Sequence, residues 1–165
     1  MTREIPLTQG KVALVSDEDY EKVSAYRWYA NGYKRGRYWY AVCGHIRPQG
    51  LRAVLLHRFI LDAPKGMVVD HINGNGLDCR RENMRLCTNT ENLYNQKPRR
   101  QGEYKGVQKS GYRWDALITV NYEVISLGRF ASEEAAARAY DAAARRHHGE
   151  FARLNFPEPK SAPIK

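Results

Sequence analysis

A stretch in the middle of the chain carries a carboxylate, a histidine and two asparagines at spacings that could support phosphate chemistry. Asp70 and His71 end a short apolar run, Asn83 follows twelve positions after His71, and Asn92 comes nine positions later. The carboxylate of Asp70 and the amide oxygen of Asn92 are hard ligands suited to Mg²⁺ or Mn²⁺. A histidine with an ordinary pKa of about 6.5 is available in neutral form to take a proton from water. These residue types predict a metal-assisted hydrolytic site.

The elements that must position these residues are predicted to be a strand, a loop, a second strand and a short helix. Asn73-Gly74 and Asn75-Gly76 favour turns with positive φ, so a compact loop should follow His71. The chain extends again through residues 84–86, and Thr88 with Glu91 three positions later is typical of a helix capping box. Adjacent strand residues point to opposite faces, but His71 should be the last strand residue, where the pleat relaxes.

This stretch resembles the HNH motif (His-Asn-His or His-Asn-Asn) of the ββα-metal nucleases, in the variant that ends in Asn. By that resemblance His71 would be the general base, Asp70 and Asn92 would be the metal ligands, and Asn83 would brace the loop and orient His71. A competing interpretation is a turn-rich loop whose polar side chains only satisfy their own backbone. The flanking segments are similar to those of phage HNH homing endonucleases, namely Leu56-His57-Arg58, Asn83-Met84-Arg85-Leu86-Cys87-Thr88 and Glu91-Asn92.

Composition points to a polyanionic partner. The 165 residues suffice for one ordinary domain or two small ones, and the formal net charge is +9. Double-stranded DNA is the leading candidate. An anionic membrane is disfavoured because no stretch reaches the length of an apolar span and the basic residues are not gathered on one amphipathic helix.

The three cysteines indicate a reducing compartment. Cys43, Cys79 and Cys87 lack the paired spacing of a zinc site or a disulfide framework. The first fifteen residues lack the apolar core and cleavage site of a secretion signal. We therefore expect free thiols in a cytoplasmic protein, of phage or bacterial intracellular origin.

The first 50 residues are predicted to form a mixed α/β lead-in. Strands are expected at residues 11–15 and 38–42, with a short helix over residues 18–28, and a further strand over 51–56. His57 follows that last strand and precedes an apolar run. A structural role for His57 is favoured over support of the metal site.

A second region begins after an abrupt change in composition at residues 98–103. This basic linker contains Arg99 and Arg100, which would neutralise phosphates rather than read bases. Three strands are predicted at residues 104–107, 114–120 and 123–130, with turns at Ser110-Gly111 and Asn121-Tyr122. A helix should then begin after Ser132 and end at Gly149.

Residues 104–157 resemble the Apetala/ethylene-response-factor DNA-binding domain. The resemblance rests on Tyr104-Lys105-Gly106-Val107, Leu127-Gly128-Arg129-Phe130, the segment Glu133 to Ala143, and Leu154-Asn155-Phe156-Pro157. It implies a three-stranded antiparallel sheet that packs on one helix and enters the DNA major groove. The family's base-reading Arg and Trp positions correspond here to Gln108, Leu117, Thr119, Val124 and Ser126. Candidate DNA contacts are therefore Lys105, Gln108, Lys109, Tyr112, Arg113, Thr119 and Arg129.

The sequence thus predicts an α+β protein: a lead-in (1–50), an HNH ββα-metal nuclease core (51–97), a basic linker (98–103), an Apetala/ethylene-response-factor-type domain (104–157) and a tail (158–165). The predicted function is a site-specific, homing-type DNA endonuclease that requires Mg²⁺ or Mn²⁺ and nicks one strand per active site. A DNA-binding regulator with an inactive nuclease motif is the alternative, and an RNA-directed protein is a third possibility. The chain should be a monomer or a weak dimer.

Overall fold

Short strands and helices alternate along the chain, which confirms the α+β prediction. The computed structural model describes residues 1–33, 36, 38–44, 53–98 and 103–157. The chain divides into two units, Met1–Asn92 and Leu93–Lys165. Arg99 and Arg100, two of the predicted DNA contacts, lie outside the described residues.

The first unit contains three small sheets that surround one apolar core. Their strand orders are β1-β2-β7, β3-β4-β5 and β6-β8. Fully buried core side chains include Val15, Val23 and Leu56. The elements are β1 (Thr2–Pro6), β2 (Val12–Ser16), α1 (Asp17–Ser24), β3 (Tyr29–Tyr33), β4 (Tyr38–Cys43), β5 (Val54–Leu55), α2 (Leu56–Leu61), β6 (Val68–His71), β7 (Asp78–Cys79), a 3-10 helix (Arg81–Asn83) and β8 (Met84–Cys87), followed by α3 (Asn89–Tyr94), whose last two residues belong to the second unit.

The predicted strand, loop, strand and helix of the central stretch are present as β6, the loop, β8 and α3. Two predictions before them were wrong. The helix expected to reach residue 28 ends at Ser24, and the indole Nε1 of Trp28 donates back to the carbonyl oxygen of Val23 at 2.9 Å. The strand expected over residues 51–56 ends at Leu55, and Leu56 instead begins α2, because Leu56 and Ile60 lie one helical turn apart and both enter the core.

The second unit is a three-stranded antiparallel sheet in the order β11-β10-β9, with one long helix. Its elements are β9 (Val107–Ser110), β10 (Arg113–Val120), β11 (Glu123–Phe130), α4 (Glu133–His148) and a 3-10 helix (Gly149–Phe151). Both predicted turns are present, with positive φ at Gly111, Asn121 and Tyr122. The first strand was predicted at 104–107 and begins instead at Val107, because Gly106 adopts a φ of +74° and interrupts extended chain.

The predicted ends of α4 are confirmed. The hydroxyl oxygen of Ser132 accepts a hydrogen bond from the amide of Ala135 at 3.2 Å, and Gly149 follows the last helical residue. The carboxylate of Asp141 holds the segment after the helix, since it accepts hydrogen bonds from the amides of Asn155 and Phe156, each at 2.8 Å.

Tyr94 belongs to the second unit although it precedes the predicted linker. Its ring stacks on His148, with centroids 3.7 Å apart and planes 9° apart. Its hydroxyl accepts a hydrogen bond from the amide of Asn121 at 3.0 Å. These contacts explain why the division between the units falls earlier in the chain than residues 98–103.

The three cysteines are free and buried. Among the described residues, no helix is long and apolar enough to cross a membrane.

We predict that Gly106→Ala destabilises the protein more than Gly111→Ala does. Both glycines have positive φ, +74° and +61°, but a Cβ at position 106 would overlap the ring of Tyr140 and the carbonyl oxygen of Leu117, whereas position 111 is open. Backbone strain alone should cost about 1–2 kcal/mol, and the overlap should add about 1–3 kcal/mol. Urea unfolding of the full chain gives both free energies, and equal losses would contradict this packing.

Candidate active site

Asp70 is fixed at the end of β6 by a cross-strand ion pair. The antiparallel pairing of β6 with β8 sets Asp70 opposite Arg85 and His71 opposite Met84. Arg85 donates two hydrogen bonds to Oδ2 of Asp70, from Nε at 2.9 Å and from Nη2 at 2.8 Å. Asp70 is only 4% exposed. A buried carboxylate needs such a partner, and Arg85 thereby sets its orientation.

His71 lies in a buried pocket of aromatic and sulfur groups. Its ring meets that of His57 edge-on, with centroids 4.9 Å apart and planes 88° apart, and the ring of Tyr40 lies 6.2 Å away. Its Nε2 is 3.9 Å from Sγ of Cys79. Burial lowers the pKa of His71 to about 4, although Asp70 and Asp78 act in the opposite direction. His71 is therefore neutral at physiological pH, which is the form that accepts a proton.

The structure also brings His57 to this pocket, although the sequence had favoured a structural role for it over support of the metal site. His57 lies in the first turn of α2 and is 6% exposed. Its Nδ1 is buried and has no hydrogen-bond partner within the described part of the chain. Burial, and then the neighbouring His71 and Arg58, lower the pKa of His57 to about 3. One sequence signal could have predicted that His57 is buried. Leu56 and Ile60 are spaced by one helical turn, and His57 lies between them on the same helix.

The side chain of Asn83 bridges the loop that follows His71. Its Nδ2 donates to the carbonyl oxygen of Asp78 at 2.8 Å and to Oδ1 of Asn73 at 3.1 Å. Its Oδ1 accepts from the amide of Asn73 at 3.0 Å, and its own carbonyl oxygen accepts from the amide of Ile72 at 2.9 Å. Asn83 is 6% exposed. One buried amide therefore contacts both ends of the loop.

Glycine is required at Gly74 and at Gly76 of this loop for different physical reasons. Gly74 adopts a φ of +73°, as its Asn-Gly turn predicted, but Gly76 does not have a positive φ. A Cβ on Gly76 would lie 2.5 Å from the carbonyl oxygen of Trp39 and 2.6 Å from the ring of Tyr40. Gly76 is therefore required for close approach of β4, which supplies Tyr40 to the pocket of His71.

The predicted capping box at the start of α3 is confirmed. Oγ1 of Thr88 accepts from the amide of Glu91 at 3.2 Å, and Oε2 of Glu91 accepts from the amide of Thr88 at 2.7 Å. These bonds hold the start of the helix immediately after β8. Asn92 is half-buried on this helix, and its amide donates to the carbonyl oxygen of Thr88 at 3.0 Å.

The donor set predicted for a metal fits a hard divalent cation. Asp70 offers carboxylate oxygen and Asn92 offers amide oxygen, both of which suit Mg²⁺ or Mn²⁺. Among the described residues, no cluster of three or more His, Cys, Asp and Glu could hold a metal ion. Of the two predicted ligands, only Asp70 is one of these four residue types, since Asn92 would bind through its amide oxygen. A cation there would complete its coordination with water and phosphate oxygen.

The outward face of the second unit's sheet carries four of the predicted DNA contacts. In β10, Ala116 and Ile118 are buried, whereas Arg113 and Thr119, at alternating positions, are exposed. Gln108 and Arg129 are in register with Asp115, on the same face as Arg113. Arg129 donates to Oδ1 of Asp115 at 2.7 Å.

The other predicted contacts are placed elsewhere. Lys109 is in register with Trp114, and its ammonium lies 5.9 Å from that ring, so Lys109 is on the opposite face from Gln108. Lys105 donates from Nζ to the carbonyl oxygen of Tyr94, and burial lowers its pKa to about 8. Tyr112 is fully exposed at the turn between β9 and β10. The sequence alone did not show which face of the sheet carries Lys109, because that depends on the register of β9 with β10.

Comparison with known proteins gives matches for both parts of the chain. Residues 62–94, which contain Asp70, His71, Asn83 and Asn92, match the family described as HNH endonuclease. An uncharacterized HNH endonuclease of Acanthamoeba polyphaga mimivirus is 32% identical over 154 residues, which span 89% of this chain and 76% of the viral protein. An AP2/ERF and B3 domain-containing protein of Oryza sativa subsp. japonica is 54% identical over 56 residues, which span 33% of this chain and 15% of the rice protein.

We predict that Asn83→Ala lowers the free energy of unfolding by about 2–4 kcal/mol. The substitution removes three buried or partly buried side-chain hydrogen bonds and leaves their partners unsatisfied. Asn75→Ala is the matched control, because Asn75 is exposed in the same loop and its Oδ1 accepts one bond, from the amide of Leu77 at 3.1 Å. The control should lose less than about 1 kcal/mol in urea unfolding. Equal losses would mean that Asn83 does not brace the loop.

The metal-free chain should lose stability as the pH falls below about 6.5, in part through His57. The folded-state pKa of His57 is lowered to about 3. Its stabilising contribution is therefore complete above the unfolded-state pKa and is lost as the unfolded chain gains a proton on acidification. Replacing His57 with Gln should reduce the pH slope of the unfolding free energy below about pH 6.5, by an amount that rises to about 1.4 kcal/mol per pH unit near pH 5.

The matched control for this measurement is His147→Gln, since His147 is exposed on α4. This control should keep the slope of the parent chain. An unchanged slope in His57→Gln would show that His57 titrates in the folded protein as it does in the unfolded chain.

Proposed function

Because the chain belongs to the HNH endonuclease family, we propose that it is a metal-dependent, site-specific DNA endonuclease of the homing type. The observation that carries this proposal is the placement of a neutral His71 beside Asp70, at the mouth of a loop that Asn83 braces. The chain matches most of the length of its viral relative, whose own activity is uncharacterized.

His71 acts as the general base in the proposed reaction. It takes a proton from a water molecule whose oxygen attacks phosphorus in line with the leaving group. The bond from phosphorus to the 3′ oxygen breaks, and that oxygen takes a proton from solvent, which yields a 5′-phosphate and a 3′-hydroxyl. Burial keeps His71 unprotonated before the step, while Asn83 positions it indirectly through the loop.

Asp70 and Asn92 are the proposed ligands of Mg²⁺ or Mn²⁺. When bound, the cation would stabilise negative charge on the phosphate and on the leaving 3′ oxygen. Arg85 holds the Asp70 carboxylate in place through its two hydrogen bonds. In this role Arg85 is a positioning residue, because it acts through Asp70.

The second unit would bind duplex DNA and select the site. Its partial similarity to a rice AP2/ERF protein supports this proposal, as does the formal charge of +9. Gln108, Arg113 and Thr119 share the outward sheet face and are the proposed base-reading candidates. Arg99 and Arg100 would add phosphate neutralisation.

One active site would cut one strand per encounter. Cutting both strands would require a weak dimer or two successive nicks, and we propose a monomer that nicks. The free, buried cysteines agree with an intracellular location, which stays a prediction.

We expect His71→Ala to abolish nicking of supercoiled plasmid in Mg²⁺ while DNA affinity is retained. Loss of a general base should slow cleavage by about 10²–10⁴-fold. His147→Ala, at an exposed histidine of α4, is the matched control and should nick normally. If His71→Ala loses DNA affinity along with cleavage, His71 is not purely catalytic. If the parent chain binds DNA but never nicks it with Mg²⁺, a DNA-binding regulator with an inactive motif is the better description.

Asn92→Ala and Asp70→Ala should each raise the Mg²⁺ concentration needed for half-maximal nicking, because each removes one of few protein oxygens on the cation. Asn89→Ala is the matched control for the helix position, since Asn89 is exposed at the start of the same α3. A titration of nicking rate against Mg²⁺ measures the requirement. An unchanged requirement in Asn92→Ala would remove Asn92 from the ligand set.

A further inference from the structure

The outward face of the second unit's sheet contains an exposed apolar strip. Leu117 is half-buried and Thr119 is exposed, both on β10 and two positions apart. Val124 on β11 is in register with Thr119 and is 66% exposed. We define these three residues as the apolar strip. Their side chains share one face because alternate residues of a strand point the same way.

A β-bulge preserves this arrangement. The register of β10 with β11 shifts between the pairs Ala116–Gly128 and Leu117–Ser126, so Leu127 is the extra residue. Leu127 packs against the buried core of Ile118, Tyr140 and Ala144. The bulge therefore sends Leu127 inward and leaves the strip on the outer face, where a partner that covers it would gain the free energy of apolar burial.

The charges beside the strip favour a nucleic acid as the occupant. Arg113 is exposed on the same face, at the start of β10. Arg129 also lies on this face, held by Asp115 at 2.7 Å and by the hydroxyl of Ser110 at 3.3 Å. Cations next to a small apolar surface match phosphates next to base edges. Three side chains are too few for a stable protein interface, which buries about 800 Å² on each partner.

The chemistry of the strip matches one feature of the DNA major groove. Thymine presents a 5-methyl group there, and apolar side chains and threonine methyls contact it. Residues two apart on a strand are separated by about 6.6 Å, which is close to two base steps of about 3.4 Å each. Leu117 and Thr119 can therefore contact bases two steps apart.

Resting on the DNA-cleaving function proposed above, we propose that the apolar strip selects target sites by contact with thymine methyl groups in the major groove. The strip supplies specificity for thymine, and Arg113 and Gln108 supply the polar contacts beside it. The preferred sites are therefore rich in thymine at positions that face the strip.

The test uses the full chain in EDTA, so that binding is measured without cleavage. Selection from randomised duplexes identifies a preferred site, and each thymine in it is then replaced by deoxyuridine, which lacks only the methyl group. Fluorescence anisotropy should show affinity about fourfold weaker for each methyl that the strip contacts.

Variants assign the methyl contacts to residues. Val124→Thr keeps the branched shape but replaces one of two methyl groups with a hydroxyl, and it should reduce the difference between thymine and deoxyuridine at one position. Thr119→Ser removes its methyl and should do the same at a second position. Val12→Thr is the matched control, because Val12 is a 39% exposed strand valine in the first unit, and it should retain every difference.

The outcomes separate the inference from the proposed function. Tight binding with equal affinity for thymine and deoxyuridine at every position overturns the inference and leaves the nuclease proposal standing, as does a selection that enriches no thymine. A parent chain that binds no duplex contradicts the proposed DNA-binding role, and the inference fails with it. Loss of self-association in Val124→Thr, without any thymine preference in the parent, would assign the strip to a second copy of the chain and overturn the inference.

Discussion

The geometry of the candidate site depends on one buried amide. Asn83 donates to Asp78 and Asn73 and accepts from the amide of Asn73, so it contacts both ends of the loop that β6 and β8 leave open. Without it, the loop would have to satisfy these backbone groups with water, and His71 would lose its fixed position at the loop entrance. The two-stranded pairing alone cannot provide this, because β6 and β8 are four residues each.

Burial at this site has opposing effects on the chemistry. His57 and His71 lie against each other with little exposure, and desolvation lowers the pKa of both, to about 3 and about 4. Neutral rings are then available at physiological pH, but a base with a low pKa draws a proton less strongly. Asp70 and Asp78 oppose the desolvation of His71. Bound DNA would add further negative charge near His71, which favours its protonated form as the reaction proceeds.

The local features were predictable from sequence and the tertiary ones were not. The Asn73-Gly74 turn, the capping box of Thr88 and Glu91 and the Ser132 cap depend on residues a few positions apart, and all are present. Three features depend on long-range packing and were missed, namely α2 with its buried His57, the parallel pairing of β7 with β2, and the placement of Lys109 on the sheet face opposite Gln108. Gly76 shows the difference well, since its small size is required by Trp39 and Tyr40 rather than by its own turn.

The central claim is that cation, base and phosphate meet between the end of β6 and α3. Paramagnetic broadening of backbone amide signals by Mn²⁺, compared with a Mg²⁺ reference, locates the bound cation directly. The account predicts the strongest broadening at Asp70, His71 and Asn92. Broadening centred on the acidic start of α1, Asp17 to Asp19, with Asp70 unaffected, would contradict it.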